Sequence, residues 1–207
     1  MESLLTEPAD KRRRRTRAAL LDAARDLFAR RGGYRGTSVD ELAAHADVAL
    51  TSIYSNFPGG KADLYAVLAC AVGREHVEAM SAVVAGATGV DAARRAFDEY
   101  LDFHRREPIA FRLLGLTDVH GEDSATVRAA RGEVRDYLAQ ALETVIVAVG
   151  EPADVARAEV IQCWAAINGL LALAARGLID AAEADRLIDR ARVRCDAAIR
   201  ASRREAR

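Results

Sequence analysis

The sequence has few aromatic residues and few prolines, and it has no run of alternating β-branched residues. Aromatic side chains make up 5% of the 207 residues although 51% are hydrophobic, so any core is built mainly from Ala, Leu, Val and Ile. Only four prolines interrupt the chain, and the missing alternation disfavours strands. The composition therefore predicts an all-α fold, and the length is ample for a buried core.

Cysteine is sparse, and the motifs of several enzyme classes are missing. Cys70, Cys163 and Cys195 are an odd number at wide spacing without a CxxC motif, which predicts neither a disulfide framework nor a zinc site. The four histidines also lack ligand-like spacing with cysteine or carboxylates. No phosphate-binding glycine loop, HExxH motif or nucleophile elbow occurs. We expect no metal, no cofactor and no catalysis, and an enzyme is the alternative from another class.

The sequence also lacks the long apolar segments of exported and membrane proteins. A secretory signal needs an apolar stretch after its basic region, and the first fifteen residues, MESLLTEPADKRRRR, do not provide one. The longest apolar run, Cys163–Ala175, is short and contains Asn168 and Gly169. It is interpreted as a buried helix rather than a membrane span. We therefore expect a cytoplasmic protein without a membrane partner.

Positive charge is concentrated near the start of the chain. The net charge is −1, yet residues 11–60 contain ten Lys or Arg against five Asp or Glu, which makes this segment the candidate for nucleic-acid binding. Residues 1–15 are interpreted as a flexible basic arm, because like charges repel one another. Its Arg13, Arg14 and Arg15 could displace counterions from phosphates or enter a narrow minor groove. The alternative is a solvated tail or a processing remnant.

The segment Thr37–Phe57 has the pattern of two short helices joined by a tight turn. Ser38 and Glu41 form a capping-box pattern at the start of the first helix, and Asp47 tolerates the left-handed backbone of a sharp turn. The second helix has a small, polar, uncharged face suited to base edges or phosphates. The residues of this face are Thr51, Ser52, Ser55 and Asn56. An ordinary helical hairpin is the alternative, because this geometry also occurs without DNA.

This region resembles the N-terminal domain of the TetR family of transcriptional repressors over residues 16–68, TRAALLDAARDLFARRGGYRGTSVDELAAHADVALTSIYSNFPGGKADLYAVL. The motifs DAARDLFARRG, TSV, LAAHADV and IYSNF occur in order, and a lysine, an acidic residue and Leu64 follow them. The resemblance implies a three-helix, helix-turn-helix DNA-binding domain whose third helix enters the major groove. It also implies that the helical remainder dimerises and binds a small molecule.

The resemblance implies roles for individual positions of this sequence. Thr37, Tyr54 and Lys61 match positions that usually contact phosphate, and packing alone is the alternative for Tyr54. Ile53 and Phe57 match core positions. The residues that match the groove-facing side of the third helix are Thr51, Ser52, Ser55 and Asn56.

Two residues depart from the family pattern. Asp47 stands where the family usually has glycine in the turn, and Ala49 stands where it usually has a Ser or Thr that caps the third helix. The lost cap costs roughly 1 kcal/mol, so we expect this helix to be frayed without DNA. Alternatively, Thr51 caps the helix, which would then start later and present different side chains to bases.

The remaining sequence predicts a helical regulatory domain over residues 61–207, after a DNA-binding domain over residues 16–60, with about nine helices in all. The last two helices, about Ala153–Arg176 and Asp180–Arg204, carry small and apolar residues. In TetR-like proteins this pair forms a four-helix bundle with its symmetry mate, which implies a homodimer suited to a palindromic operator. The alternative is that the apolar stripes only close the core of a monomer.

Aromatic and polar side chains within the regulatory part are candidates for ligand binding, since apolar pockets combine aromatic walls with a few polar groups. Trp164 and Asn168 are the strongest of these candidates. The full set is Phe97, Tyr100, His104, Phe111, Tyr137, Trp164 and Asn168, and Phe103 is a further aromatic residue of the same part. The alternative is that aromatic residues at helical spacing belong to the core.

Together these features predict a ligand-responsive DNA-binding transcriptional regulator. We expect it to be a repressor that binds a palindromic operator as a dimer. A small, largely apolar effector would release it from the DNA. Activation instead of repression is an open alternative, and so is a helical interaction protein that does not bind DNA.

Overall fold

The computed structural model describes residues 3–30, 33–150 and 152–205. Every regular element within these ranges is helical, which confirms the predicted all-α fold. The described α-helices are α1 (Lys11–Arg30), α2 (Val39–His45), α3 (Leu50–Asn56), α4 (Lys61–Val84), α5 (Gly89–Arg106), α6 (Ala110–Gly115), α7 (Ala125–Val149), α8 (Ala153–Ala175) and α9 (Ala181–Glu205). A turn of 3₁₀-helix, Tyr34–Gly36, lies between α1 and α2.

The chain divides into two compact units, and each is built from two segments of the sequence. The first unit consists of Met1–His76 and Phe103–Leu138, and the second consists of Val77–Asp102 and Ala139–Arg207. The first unit therefore contains all of α1, α2, α3 and α6 with parts of α4, α5 and α7. The domain boundary after residue 60 is a sequence-based assignment and stays a prediction.

Large, fully buried side chains hold α1 to α4 together in the first unit. Phe28 of α1, Leu42 of α2 and Ile53 of α3 have no exposed surface, and each such side chain contributes roughly 1.5–3 kcal/mol through its burial. The ring of Tyr65 on α4 lies 5.6 Å from that of Phe28 between centroids. One side of α3 is therefore fixed in the core, and its opposite side is left for other partners.

The first helix starts earlier than the sequence pattern predicts. α1 begins at Lys11, whereas its predicted start is Thr16. The backbone N–H of Arg13 donates to Oδ1 of Asp10 at 2.7 Å, so Asp10 caps the helix and places a negative charge at the positive end of its dipole. The predicted start is wrong because this cap compensates for the repulsion within the basic run. Residues 11–15 are part of a helix and not of a flexible arm.

A disulfide joins α8 and α9 in the second unit. Cys163 and Cys195 are bonded, with their Cα atoms 5.7 Å apart, while Cys70 is a free, buried thiol. The sequence predicts no disulfide framework, and it does not predict this single bond. The bond forms because α8 and α9 are neighbouring helices joined by a short connector. This arrangement places two cysteines that are 32 residues apart in the sequence opposite each other.

Helix α8 is apolar but mostly exposed within the chain. By length and composition this helix could cross a membrane, and only 11% of its most apolar stretch is buried within the chain. The buried residues of α8 are Ala156, Val160 and Ile167. The prediction of a buried helix is therefore wrong for the isolated chain. An exposed apolar face of this kind is typical of an interaction surface.

Candidate nucleic-acid interface

The helix that precedes the turn is fixed at its start by a reciprocal cap. Ser38 Oγ accepts from the backbone N–H of Glu41 at 3.1 Å, and the backbone N–H of Ser38 donates to Oε2 of Glu41 at 2.9 Å. This confirms the capping box predicted from the sequence. Since both groups satisfy amides that the first helical turn leaves unpaired, the start of α2 is well defined.

The turn between α2 and α3 has the left-handed residue that the sequence predicts. Asp47 has a φ of 52°, and the N–H of Val48 donates to the carbonyl of Ala43 at 3.0 Å. Ala49 is the N-cap of α3, with no side-chain hydrogen bond to the helix. The alternative in which Thr51 caps a later-starting helix is therefore wrong, because α3 already begins at Leu50.

Helix α3 divides into a buried side and an exposed side. Ile53 has no exposed surface, and Phe57, directly after the helix, has 1%. The opposite side carries Thr51, Tyr54 and Ser55, all exposed, with Ser52 half-buried beside them. The hydroxyls of Thr51, Ser52 and Tyr54 can donate to or accept from base edges and phosphates. Ser55 Oγ donates to the carbonyl of Ser52 at 3.1 Å and can still accept.

Two predicted DNA-contact residues are buried instead. Asn56 is 8% exposed, and its Nδ2 donates to the carbonyl of Ser52 at 2.8 Å. Thr37 is 1% exposed, and its Oγ1 donates to the carbonyl of Gly33 at 3.3 Å. The structure therefore does not bring these two side chains onto the exposed face of α3.

Tyr54 and Lys61 lie beside the connector between α3 and α4. The Tyr54 side chain is about half exposed, and a Cβ on Gly60, whose φ is 62°, would lie 3.1 Å from Tyr54 Cε1. Lys61 Nζ donates to the carbonyls of Tyr34 at 2.9 Å and Thr37 at 2.7 Å. Burial lowers the pKa of Lys61. The same ammonium lies 4.1 Å from the centroid of the Tyr34 ring, so contacts within the protein hold Lys61 at the start of α4.

The arginines of α1 differ in what they contact. Arg13 Nη2 donates to the carbonyl of Ser55 at 2.9 Å, so it lies at the C-terminal end of α3. Arg14 Nη1 donates to the carbonyls of Pro8 and Ala9, both at 3.2 Å. Arg15 is exposed. Arg13 therefore places a positive charge beside the exposed side of α3, as an interface with phosphates requires.

Arg17 belongs to the same basic run, and it makes a contact with the end of α3 that the sequence does not predict. Its guanidinium carbon lies 4.6 Å from the centroid of the Phe57 ring, and its Nη1 donates to the carbonyl of Asn56 at 3.2 Å. Burial lowers the pKa of Arg17, and the neighbouring Arg13 lowers it further. No spacing rule signals this contact, because it joins positions 39 residues apart.

The predicted ligand residues divide between the two units. In the second unit, Tyr100 Oη donates to Oδ1 of Asn168 at 2.7 Å, and Asn168 Nδ2 donates to the carbonyl of Trp164 at 3.0 Å. Burial raises the pKa of Tyr100. Phe97 is buried, with Arg192 5.5 Å from its ring centroid. The structure thus groups Tyr100, Trp164 and Asn168 in one polar cluster within an apolar helical unit.

The other three predicted ligand residues are in the first unit. The His104 ring lies 6.2 Å from that of Phe111 and 5.6 Å from that of Phe103. On its other side Phe103 lies 4.6 Å from His76, and burial lowers the pKa of both histidines to about 4. Tyr137 Oη donates to a carboxylate oxygen of α7. His76 has no sequence signal as a candidate, since its position follows only from the packing of α4.

Two family models match this sequence. The model described as "Bacterial regulatory proteins, tetR family" matches residues 20–68, which span most of α1 to the first part of α4. The model described as "Tetracyclin repressor-like, C-terminal domain" matches residues 93–193. Together the two matches cover well over half of the sequence. No curated protein matches the chain.

Several solved structures share the fold. A tetR-family transcriptional regulator from Streptomyces coelicolor is 22% identical, with a TM-score of 0.63 over 90% of this chain and 81% of that one. A TetR transcriptional regulator from Rhodococcus sp. RHA1 is 20% identical, with a TM-score of 0.55 over 91% and 97%. A protein of unknown function from the same organism is 21% identical, with a TM-score of 0.65 over 89% and 95%. Identities this low show a common fold alone.

Proposed function

Because the chain belongs to the TetR family of bacterial regulatory proteins, we propose that it regulates transcription by binding double-stranded DNA through α3. The observation that carries this proposal is the exposed side of α3, where short hydroxyl side chains lie next to Arg13 of α1. Such a surface can combine base readout in the major groove with phosphate contacts along its border.

Different side chains would serve affinity and sequence preference. Thr51 and Ser55 are exposed on α3 and would read base edges. Tyr54, Lys61 and Arg15 would contact phosphates, since a phenol hydroxyl, an ammonium and a guanidinium all donate to phosphate oxygens. Phosphate contacts give affinity without sequence information. Sequence preference therefore depends on the first pair and salt dependence on the cationic side chains.

The exposed apolar side of α8 supports a homodimer formed through α8 and α9. Residues at helical spacing form this side: Ala158, Ile161, Ala165, Gly169 and Leu173. A Cβ on Gly169 would meet nothing within 4 Å, although glycine inside a helix costs roughly 1 kcal/mol relative to alanine. A second copy packed closely on this side would account for both facts. A two-fold dimer matches a palindromic operator.

A small, largely apolar effector would control the dimer. The cluster of Tyr100, Trp164 and Asn168 offers amide and phenol groups within apolar surroundings, which suits a ligand with one polar end. An effector that binds more tightly to a state with unsuitable spacing of the two α3 helices would release the DNA. The protein would thus be a cytoplasmic repressor without catalytic activity.

The test is selection of DNA sequences by the purified full chain from a random duplex library, followed by affinity measurements on the selected duplex. Thr51→Ala and Ser55→Ala should change the selected sequence, and each lost hydroxyl contact should reduce discrimination by roughly 0.5–1.5 kcal/mol. Tyr54→Phe should weaken all duplexes by a similar factor. Thr126→Ala, on α7 at a distance in sequence from α3, is the matched control and should select the wild-type sequence.

The outcome that contradicts the proposal is a chain that enriches no sequence, or one whose selected sequence survives both the Thr51 and Ser55 changes. The effector is tested separately, by a thermal-shift screen of small hydrophobic compounds. A compound that binds the folded protein raises its Tm by mass action. It should also release the selected duplex.

A further inference from the structure

A short segment before α1 is folded against the first unit. Within this segment, Ser3–Asp10, the N–H and Oγ1 of Thr6 donate to the carbonyl of Ser3 at 3.1 and 2.8 Å. Leu4 and Leu5 pack against the hydrophobic core of this unit. Asp10 at its end caps α1. We call this segment, Ser3–Asp10, the strap.

One end of the strap is held by a single carboxylate on α7. Ser3 Oγ donates to Oε1 of Glu133 at 2.6 Å, and the backbone N–H of Leu4 donates to its Oε2 at 3.0 Å. Tyr137 Oη donates to Oε1 of the same carboxylate at 3.1 Å. Hydrogen bonds to an ionised acceptor are stronger than those between neutral groups. Glu133 therefore joins the strap to Tyr137, one turn further along α7.

The strap is also joined to the C-terminal end of α3. Arg17 Nη2 donates to the carbonyl of Leu4 at 2.9 Å, while its Nη1 donates to the carbonyl of Asn56 at 3.2 Å. The same guanidinium lies over the Phe57 ring. The planar guanidinium presents its donors on separate nitrogens and lies flat on an aromatic face, whereas a lysine would have to reach both carbonyls with a single nitrogen. Carbonyls at a helix end also lack helical partners and favour a cation.

We propose that the strap is a positioning device for DNA recognition, in which Glu133 and Arg17 are positioning residues. Glu133 fixes the strap on α7, and Arg17 transmits this constraint to the last turn of α3. Helix α3 is only seven residues long and has no side-chain cap at its start, so contacts at its end add to the core packing of Ile53 in setting its orientation. The proposal rests on the proposed function only where it concerns DNA.

The first test measures amide hydrogen exchange in the DNA-free full chain. Glu133→Gln removes one of the two acceptor oxygens but keeps the size of the side chain. It should accelerate exchange roughly three- to tenfold for the amides of the strap and of residues 53–57, since one charged hydrogen bond of a set is lost. Asp136→Asn is the matched control: it removes an exposed charge on the same helix and should leave these amides unchanged.

The second test uses DNA and separates position from charge. Arg17→Lys keeps the positive charge but loses a hydrogen bond to one of the two carbonyls, of Leu4 or of Asn56. The affinity for the selected duplex should therefore fall roughly three- to tenfold. The slope of log affinity against log salt should stay as in the wild type, because the number of phosphate contacts is unchanged. Arg12→Lys, at an exposed position on the same helix, should change neither quantity.

Unchanged exchange in residues 53–57 of Glu133→Gln would overturn the proposal, and so would wild-type affinity of Arg17→Lys. A wild-type chain that binds no duplex would contradict the proposed function alone. The exchange experiment does not depend on DNA and would still decide whether the strap holds α3.

Discussion

Asp47 and Ala49 set the geometry with which the chain enters α3. Asp47 adopts a positive φ that glycine would adopt without steric cost, and Ala49 is an N-cap without a capping side chain. The backbone of Ala49, with φ −65° and ψ 145°, already has the conformation that a capping serine requires. The weak start of α3 is therefore a property of one side chain and not of the backbone.

Ala49→Ser should stabilise the protein. A serine hydroxyl at this position can accept from an unpaired N–H of the first turn of α3, which contributes roughly 0.5–2 kcal/mol. Urea denaturation should show a higher midpoint with an unchanged slope. Ala18→Ser, at an exposed position inside α1, is the control and should cost a few tenths of a kcal/mol. An Ala49→Ser variant no more stable than wild type would contradict this account of the turn.

Two histidines of the first unit, the buried His76 and the half-buried His104, should make the stability of the protein depend on pH. Burial lowers the pKa of His76 to about 4, and the neighbouring His104, whose own pKa is about 4, adds to the effect. In the unfolded chain both imidazoles have their ordinary pKa of 6.5. Between about pH 6.5 and pH 4 the unfolded state therefore binds more protons than the folded state. The contribution of each histidine is complete above pH 6.5 and is lost as the pH falls from about 6.5 to about 4.

This pH effect is measured by urea denaturation between pH 7 and pH 4.5. His76→Gln should show a smaller loss of unfolding free energy over this range than wild type, by roughly 2–3 kcal/mol. Comparison of the two proteins removes the contribution of carboxylates that titrate in the same range. His120→Gln, in an exposed connector, is the control and should lose as much as wild type. Equal losses for all three proteins would rule out buried neutral His76.

The apolar periodicity of the sequence predicts which segments are helical, but it predicts neither where a helix starts nor which helices are bonded to each other. The apolar spacing of Leu42 and Ile53 gives α2 and α3 their buried sides, as the structure confirms. The start of α1 is wrong in the sequence-based prediction because a single capping aspartate, Asp10, extends the helix through its basic run. The Cys163–Cys195 bond could not be predicted, since it depends on how far two neighbouring helices overlap.

The exposed side of α8 allows a test of the proposed dimer. Ala165 is exposed on this side, so Ala165→Glu should leave the isolated chain folded but place a charge in an apolar interface. We expect the Kd of the dimer to rise roughly tenfold, since an unpaired buried charge is costly. The variant should then be monomeric at concentrations where wild type stays dimeric. Sedimentation velocity measures this.

A matched control for Ala165→Glu is Val147→Glu. Val147 is 71% exposed on α7, so this change adds the same charge at an apolar surface position outside α8 and α9. It should sediment as wild type. If Ala165→Glu stays dimeric, the dimer does not form through α8. A loss of helical signal in circular dichroism would instead identify a folding defect, and Gly169→Leu then provides a second, uncharged test of close approach.

For the whole molecule, the sequence predicts the family and the helical architecture, because the motifs of residues 16–68 are local patterns. It does not predict which side chains are available for DNA. Thr37 and Asn56 are buried, since contacts with Gly33 and within α3 use their polar groups. Nor does it predict the strap, which joins residues about 130 positions apart by contacts that leave no periodic signal.

The most direct test of the central claim is the stoichiometry and sequence preference of the complex with DNA. Sedimentation equilibrium of the full chain with its selected duplex, and with a scrambled duplex of equal length, measures both. The account predicts two chains on one palindromic duplex and an affinity at least 10³-fold above that for the scrambled duplex at the same salt concentration. Equal affinity for both duplexes, or no complex with either, would contradict it.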